Sequence, residues 1–230
     1  MELYKKGDYV GSAEQFRVCS DWRNAYKSYI KAFEVSKDFR NLQNAGECAE
    51  KFDLKLAEEC YRADPDSRVR LGDLYHRNSA YDKAIEQYEI AIFEAKDECV
   101  RQEIQLLVAK TMLYQKDFLG AGHIYREVAR ERLKRPLGKW GAYNYIFKAV
   151  LCEVLAYQDS KVLGRYEKMF PGWRETIGYK SCANMVQAFE KKDRNMFNEA
   201  VFELEKTFTD ELVIILYELR ERLKTICQEK

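Results

Sequence analysis

His76 and His123 are the only imidazoles in this 230-residue chain, and they fall in different helical segments. Neither belongs to a His-Glu-x-x-His pair. The seven cysteines, Cys19, Cys48, Cys60, Cys99, Cys152, Cys182 and Cys227, include no Cys-x-x-Cys. Zinc needs three or four such ligands converging at fixed spacing, so nothing here predicts a metal centre. No Gly-x-x-x-x-Gly-Lys-Ser/Thr loop is present to cradle a nucleotide phosphate. Gly120-Ala121-Gly122 lacks a third glycine and sits inside a helical pattern, which makes it a place of close helix packing. Glu58/Glu59 and Asp82/Glu86 read as solvated helix faces rather than an acid/base pair. The sequence therefore predicts a protein that is not an enzyme and uses no cofactor, and its chemistry is expected to be that of a binding surface.

Charge is the chemistry left to distribute. The chain carries 39 Lys+Arg and 38 Asp+Glu, a net +1, so no global field favours nucleic acid. Arg126, Arg130, Arg132, Lys134, Arg135 and Lys139 form a local basic run, interrupted by Glu127 and Glu131. It reads either as a solvated helix end, where cations suit the dipole, or as part of an electropositive patch for an acidic partner. RNA binding through Arg126–Lys139 is the alternative that this run leaves open. The odd number of scattered cysteines and the lack of Asn-x-Ser/Thr sequons fit a reducing, cytoplasmic setting. Met1 to Lys6 has no apolar stretch of the secretory kind, and the longest aliphatic run, Val213–Leu216, is far too short to span a bilayer. Any membrane contact is expected to be peripheral.

The elements that must hold these charges follow one repeat, aromatic-x-x-Ala-x-x-x-Tyr. It reads Trp22/Ala25/Tyr29, Tyr81/Ala84/Tyr88 and Phe118/Ala121/Tyr125, with looser copies at Leu54/Ala57/Tyr61 and Phe197/Ala200/Leu204. The alanines are separated by 32, 27, 37 and 79 residues. Such self-similarity marks stacked helical hairpins, each too small to bury its own apolar face. In the clearest unit, Leu71 to Ala91, small residues at 72, 84 and 91 allow close approach, while Tyr75, Tyr81 and Tyr88 fill the gaps between helices. This matches the tetratricopeptide pattern without its closing proline. With only 3 Pro and 11 Gly, the chain is expected to be all-α.

Expected helices run over Ser12–Val18, from Trp22 after an Asp21 cap, Leu42–Phe52, Leu54–Ala63, Val69–Arg77, Val100–Gln115 and Phe118–Leu133. Further ones cover Ala142–Tyr157, Val162–Met169, Ile177–Glu190, Phe197–Lys206 and Glu211–Ile226. Lys134–Gly138 is the main loop, and Pro171 stops the helix before it. The last helix places Leu212, Ile215, Leu216, Leu219, Leu223 and Ile226 on one face, as an end cap should. The division expected is a right-handed tetratricopeptide-like solenoid, a twisted sheet of antiparallel helices, over 1–157, with a C-terminal helical bundle over 158–230.

Several stretches resemble one known family. Ala142-Tyr143-Asn144-Tyr145-Ile146-Phe147-Lys148-Ala149-Val150-Leu151-Cys152 is similar to the Y-F-F-K-A-A-L-C helix of the alpha-soluble NSF attachment proteins. Arg165-Tyr166-Glu167-Lys168-Met169-Phe170-Pro171 resembles their K-Y-E-E-x-F-P. Phe197–Val201 resembles Y-T-E-A-V, and Asp82–Glu89 resembles E-K-A-I-x-x-Y-E. All occur in the family's order, over about residues 12 to 227.

The resemblance implies an adaptor that lies on the assembled SNARE four-helix bundle and recruits the hexameric ATPase NSF to take it apart. It implies a monomer acting as several copies per SNARE complex, on the cytosolic face of membranes, with no nucleic acid. SNARE-facing cations are carried over to Lys51, Arg68 or Arg70, Arg101 (beside Glu103, where the family has a lysine) and Lys139; Lys148 also matches a basic position or is structural. NSF contacts are carried over to Glu190, with Asp159 and Asp193 nearby. The family's apolar N-terminal loop is poorly matched by Leu3, Tyr4, Tyr9 and Val10. Its acidic tail with a penultimate leucine is replaced by Cys227-Gln228-Glu229-Lys230, so a shortened or truncated member is expected. A helical-repeat scaffold for another peptide is the remaining alternative.

Overall fold

The computed structural model describes residues 2–135, 138–157, 159–203 and 209–228, without the side chains of Glu2, Lys5 and Trp140. Every described regular element is helical. The α-helices are α1 Glu2–Lys5, α2 Tyr9–Val18, α3 Trp22–Ser36, α4 Phe39–Ala49, α5 Leu54–Ala63, α6 Arg68–Arg77, α7 Tyr81–Glu94, α8 Glu98–Tyr114, α9 Phe118–Leu133, α10 Lys139–Tyr157, α11 Lys161–Met169, α12 Ile177–Lys191, α13 Arg194–Phe202 and α14 Asp210–Gln228. Short 3₁₀ turns at Pro65–Ser67 and Pro171–Glu175 precede α6 and α12.

Capping chemistry sets the starts. Asp8, Asp21, Asp38, Asp53, Asp97, Asp117 and Asp193 each precede an α-helix and accept from backbone N–H groups of its first turn. Five of these carboxylates follow a residue in the positive-φ region: Gly7, Ser20, Lys37, Lys116 and Lys192. Ser79 does the same before α7. Where an aspartate follows, the pair forms a two-residue corner that ends one helix and caps the next. These caps explain where the observed helices depart from expectation. The second begins at Tyr9 rather than Ser12, because Asp8 holds Gly11 N. The fourth begins at Phe39, because Asp38 holds Arg40 N. The thirteenth begins three residues before Phe197, at Arg194. Pro136 and Leu137 of the main loop, and Leu204 and Lys206 at the expected end of the Phe197 helix, lie outside the described residues.

The helices gather into two compact units, Met1–Glu94 and Ala95–Lys230. The sequence division at 157/158 falls inside the second, between α10 and α11. In the first unit each helix from α2 to α7 packs on the next, as a hairpin stack does. Here the repeat is mortar: Ala25, Ala57 and Ala84 are fully buried, and Tyr29, Tyr61 and Tyr88 nearly so. Burying each such ring removes enough apolar surface to stabilise the stack by about 2 kcal/mol. Leu54 remains exposed and Trp22 and Tyr81 half-buried, because they open their helices where the neighbouring hairpin no longer covers them.

The second unit is built around α10. Ala142, Ile146, Phe147, Ala149 to Cys152, Val154 and Leu155 are all buried, so this helix is covered on every side. It packs on α9, α11, α12 and α14. Gly122 of α9 makes the closest approach; a Cβ there would stand 3.2 Å from Cys152 Cβ. The last helix buries Leu212, Ile215, Leu216, Leu219 and Leu223, with Ile226 half-buried against the same core. Among the described residues, no helix is long and apolar enough to cross a membrane.

Candidate protein-binding groove

In the first unit, the C-terminal halves of α2 and α4 and the length of α6 face a common cleft of about 320 Å³. Its wall holds four cations, Arg17, Lys51, Arg70 and Arg77, against three carboxylates, Glu47, Glu50 and Asp73, with Trp22, Cys48 and Tyr61. The repeat tyrosines reach this wall from behind. Tyr61 donates to Glu50 at 2.8 Å and Tyr88 to Asp73 at 2.6 Å. Tyr29 donates to Glu14, beside the cleft, and receives Arg17 Nη1 at 3.3 Å.

Glycine makes the crossing possible. A Cβ on Gly46 would lie 2.5 Å from Tyr61 Cε1, and one on Gly72 would lie 2.5 Å from Tyr88 Cε1. Burial first, then the bond to Glu14, pushes the Tyr29 hydroxyl up to about 12. Burial and bonds to Glu50 and Asp73 push Tyr61 and Tyr88 up as well. All three hydroxyls therefore stay protonated donors at any physiological pH, and each ties a carboxylate to the scaffold.

Two cations also bridge neighbouring hairpins: Arg70 to Glu47 at 2.5 Å and Arg77 to Glu50 at 2.7 Å. Lys51 is exposed, with no ion pair among the described residues. The cleft thus presents a fixed lattice of paired charge with a surplus of one cation. No described cluster of His, Cys, Asp and Glu could hold a metal ion.

The structure distributes the expected contact residues unevenly. Lys51 and Arg70 meet in the cleft. Arg68 does not: it is half-buried, with Nη1 3.5 Å from Gln87 Oε1 on α7 and its Nε buried without a partner. In the second unit, Arg101 pairs with Glu98 at 2.6 Å and donates to Ala95 O, while Lys139 is exposed and Glu103 stands exposed beside Arg101's helix turn. Lys148 is buried, 3.4 Å from Glu211, with its ammonium over the rings of Tyr125 and Tyr145, so its place is in the core. Asp159 accepts from Lys161 N and is half-buried, Glu190 is exposed, and Asp193 is the exposed cap of α13.

Arg17 and Arg77 are the cleft cations that sequence reasoning missed. Each reads alone as a cation near a helix end.

The basic run 126–139 is largely spent on the protein itself. Arg126 donates to the buried Glu153 at 2.7 Å, which also accepts from Tyr166 at 2.6 Å. Arg130 pairs with Glu127 and Lys134 with Glu131, each at 2.6 Å. Arg132 lies over the Tyr145 ring, and Arg135 donates to Cys99 Sγ. Only Lys139 is left without a partner among the described residues, and it does not make a patch.

The family profile described as "Soluble NSF attachment protein, SNAP" matches residues 8–211, most of the chain. The chain belongs to the soluble NSF attachment protein family. Membership makes it an adaptor rather than an enzyme, with a place in vesicle fusion and transport. Similar SNAP-family proteins include the "Beta-soluble NSF attachment protein" of Bos taurus, 22% identical over 86% of this chain and 75% of its own length. The "Vesicular-fusion protein SEC17" of Komagataella phaffii is 28% identical over 81% of this chain and 59% of its own. A SNAP homolog of Fowlpox virus is 25% identical over 96% of this chain and 78% of its own. The match spans both compact units, so the hairpins of the first and the α10-centred bundle of the second are both SNAP-family structure.

Proposed function

We propose that the chain binds the assembled SNARE four-helix bundle through the α2–α4–α6 cleft and recruits the NSF ATPase to disassemble it. The supporting observation is the pairing pattern at the cleft. Its carboxylates are held by Tyr61, Tyr88, Arg70 and Arg77, while Lys51 is free of an ion pair and lines the same space. An acidic helical surface would meet a fixed set of donors there without first displacing a mobile side chain. Rim cations of this kind steer association and make it sensitive to salt.

Arg101 and Lys139 are further proposed SNARE contacts in the second unit, and Arg68 is a weaker one because its guanidinium lies against α7. Glu190, Asp159 and Asp193 are the proposed NSF contacts. Action as several copies on one bundle, at the cytosolic face of membranes, completes the reading. The chain is not proposed to bind nucleic acid, since the 126–139 run is consumed internally.

The test is a binding titration with assembled SNARE bundle at low salt. Lys51→Glu with Arg70→Glu should weaken binding by about tenfold or more and flatten the salt dependence, each reversal removing an attraction and adding a repulsion. Arg68→Glu should change it far less. Binding untouched by the double reversal would remove the cleft from the reading. Absence of binding to both bundle and NSF by the unmodified protein would remove the function.

A further inference from the structure

The corner between α12 and α13, which holds the proposed NSF contact Asp193, departs from the other hairpins in a way the SNARE-cleft reading does not use. In α3, α5, α7 and α9 the repeat's large apolar residue, Trp22, Leu54, Tyr81 or Phe118, is the first residue of the helix. In α13 the equivalent Phe197 comes three residues later, behind an added turn of Arg194, Asn195 and Met196. Beside the added turn lies a shallow, open cleft of about 690 Å³ lined by Lys191, Lys192, Arg194, Asn195 and Asn198, with Asp193 and Cys227.

The corner is pinned by hydrogen bonds. Lys192 sits in the left-handed region at φ 58°, and Asp193 N donates back to Ala188 O at 2.9 Å. Asp193 caps α13 through Asn195 N and Met196 N, so its carboxylate is engaged by backbone. Cys227 Sγ donates to Lys192 O at 3.1 Å, fixing the end of α14 against the corner.

Helix electrostatics account for only part of the charge. Lys191 and Lys192 end α12, where a cation suits the negative end of the helix dipole. Arg194 opens α13, where a cation opposes the positive end. None of the three has an ion pair among the described residues, and all are exposed. Two ammoniums, one guanidinium and two carboxamides therefore line one open cleft, and the single carboxylate there is engaged by backbone N–H groups.

We propose that this cleft binds a phosphate-bearing polyanion. The lining offers no aromatic or aliphatic anchor of the kind a peptide hot spot needs. A guanidinium fork and ammonium point charges are the donors that match multi-oxygen phosphate. This inference is independent of the SNARE-cleft reading, since it uses neither that cleft nor the first unit. The same chemistry comes from a soluble polyphosphate or from a phosphorylated lipid headgroup, and two arms separate them. Calorimetry with inorganic pyrophosphate and with inositol trisphosphate tests the soluble source. Flotation with phosphatidylcholine vesicles, with and without phosphatidylinositol bisphosphate, tests the lipid source.

The unmodified full chain should bind the soluble probes saturably, and stronger capture by the doped vesicles would assign the headgroup. Lys191→Ser with Lys192→Gly and Arg194→Ser should lower affinity by about a thousandfold, at about tenfold per lost charge-assisted contact. The Lys192→Gly change keeps the left-handed corner. Arg194→Gln alone, which relieves the dipole conflict and leaves the cap intact, should lower it about tenfold. The proposal is overturned by any of three results: no saturable binding of either soluble probe, binding unchanged in the folded variants, or equally tight binding of a polyglutamate peptide. That last result would make the surface a general acidic-protein contact.

Discussion

Gly72→Ala is the sharpest test of how the tyrosines are seated. In an ordinary helix this substitution is favourable, because alanine is about 1 kcal/mol better than glycine in a helix interior. Here the added Cβ would stand 2.5 Å from Tyr88 Cε1, 2.7 Å from Cδ1 and 3.0 Å from Cζ. All three are ring atoms of a side chain only 1% exposed. The ring cannot swing aside cheaply, because its hydroxyl is bonded to Asp73 at 2.6 Å. Overpacking of this kind costs about 1–3 kcal/mol, and loss of a hydrogen bond to a carboxylate adds about 1.5 kcal/mol or more. After the propensity gain, a net destabilisation of about 2 kcal/mol is expected in the urea unfolding of the first unit. Gly164→Ala is the matched control. Gly164 lies inside α11 with nothing within 4 Å of its missing Cβ. That change should stabilise the second unit by about 0.5–1 kcal/mol. Gly72→Ala in a Tyr88→Leu background should recover most of the loss. If Gly72→Ala were neutral, or cost as much in that background as with the tyrosine in place, the locked-ring account would be wrong.

Tyr125 is as buried as Tyr88, but its hydroxyl has no partner among the described residues, so Tyr125→Phe should be neutral or stabilise by about 1 kcal/mol. Tyr88→Phe should instead cost about 1–2 kcal/mol by chemical denaturation. Asp193 is both the α13 cap and a proposed NSF contact. Asp193→Ser should keep stability within a few tenths of a kcal/mol while removing the charge, whereas Asp193→Ala should cost about 1 kcal/mol; NSF binding lost in both but stability lost only in the second would separate the roles. Burial pushes the Glu211 carboxyl up, but Lys148 together with backbone and Thr209 hydrogen bonds outweighs it and holds the group below its usual range. A lowered folded value means stability present above the unfolded value and lost as pH falls through the folded one. Lys148→Met should therefore destabilise the second unit at neutral pH by about 1–2 kcal/mol and reduce its loss of stability between about pH 5 and pH 3.

The repeat was legible because packing imposes it directly. Alanine recurs where two helices nearly touch, and tyrosine where a ring must bridge them; Ala25, Ala57, Ala84 and Ala121 are fully buried as their spacing demands. The helix starts were legible in principle from aspartates that follow Ser or Lys, a signal that sequence reading used only at Asp21. The charged positions were harder, because their role depends on the partner hairpin. Glu14 and Asp73 each directly follow a small buried residue, Ala13 and Gly72, and receive a tyrosine; after Ala109 the same place holds Lys110, and Tyr125 goes without.

The same logic explains why the basic run 126–139 forms no patch and why the groove was half-seen. Residues adjacent in sequence on one helix point to several different neighbours. Arg126 turns to Glu153 on α10, Arg132 to the Tyr145 ring and Arg135 to Cys99 on α8, while Arg130 and Lys134 close on glutamates three residues before them. A run of charge along a helix is consumed by tertiary pairs before it can form a surface. The groove is assembled the opposite way, from single cations on different helices: Arg17 from α2, Lys51 after α4, and Arg70 and Arg77 from α6. In a hairpin stack a shared face recurs once per hairpin, so its residues lie about one repeat apart rather than side by side. Cations at the same register of successive hairpins, not dense basic segments, are therefore the signal by which such a binding face is read from sequence.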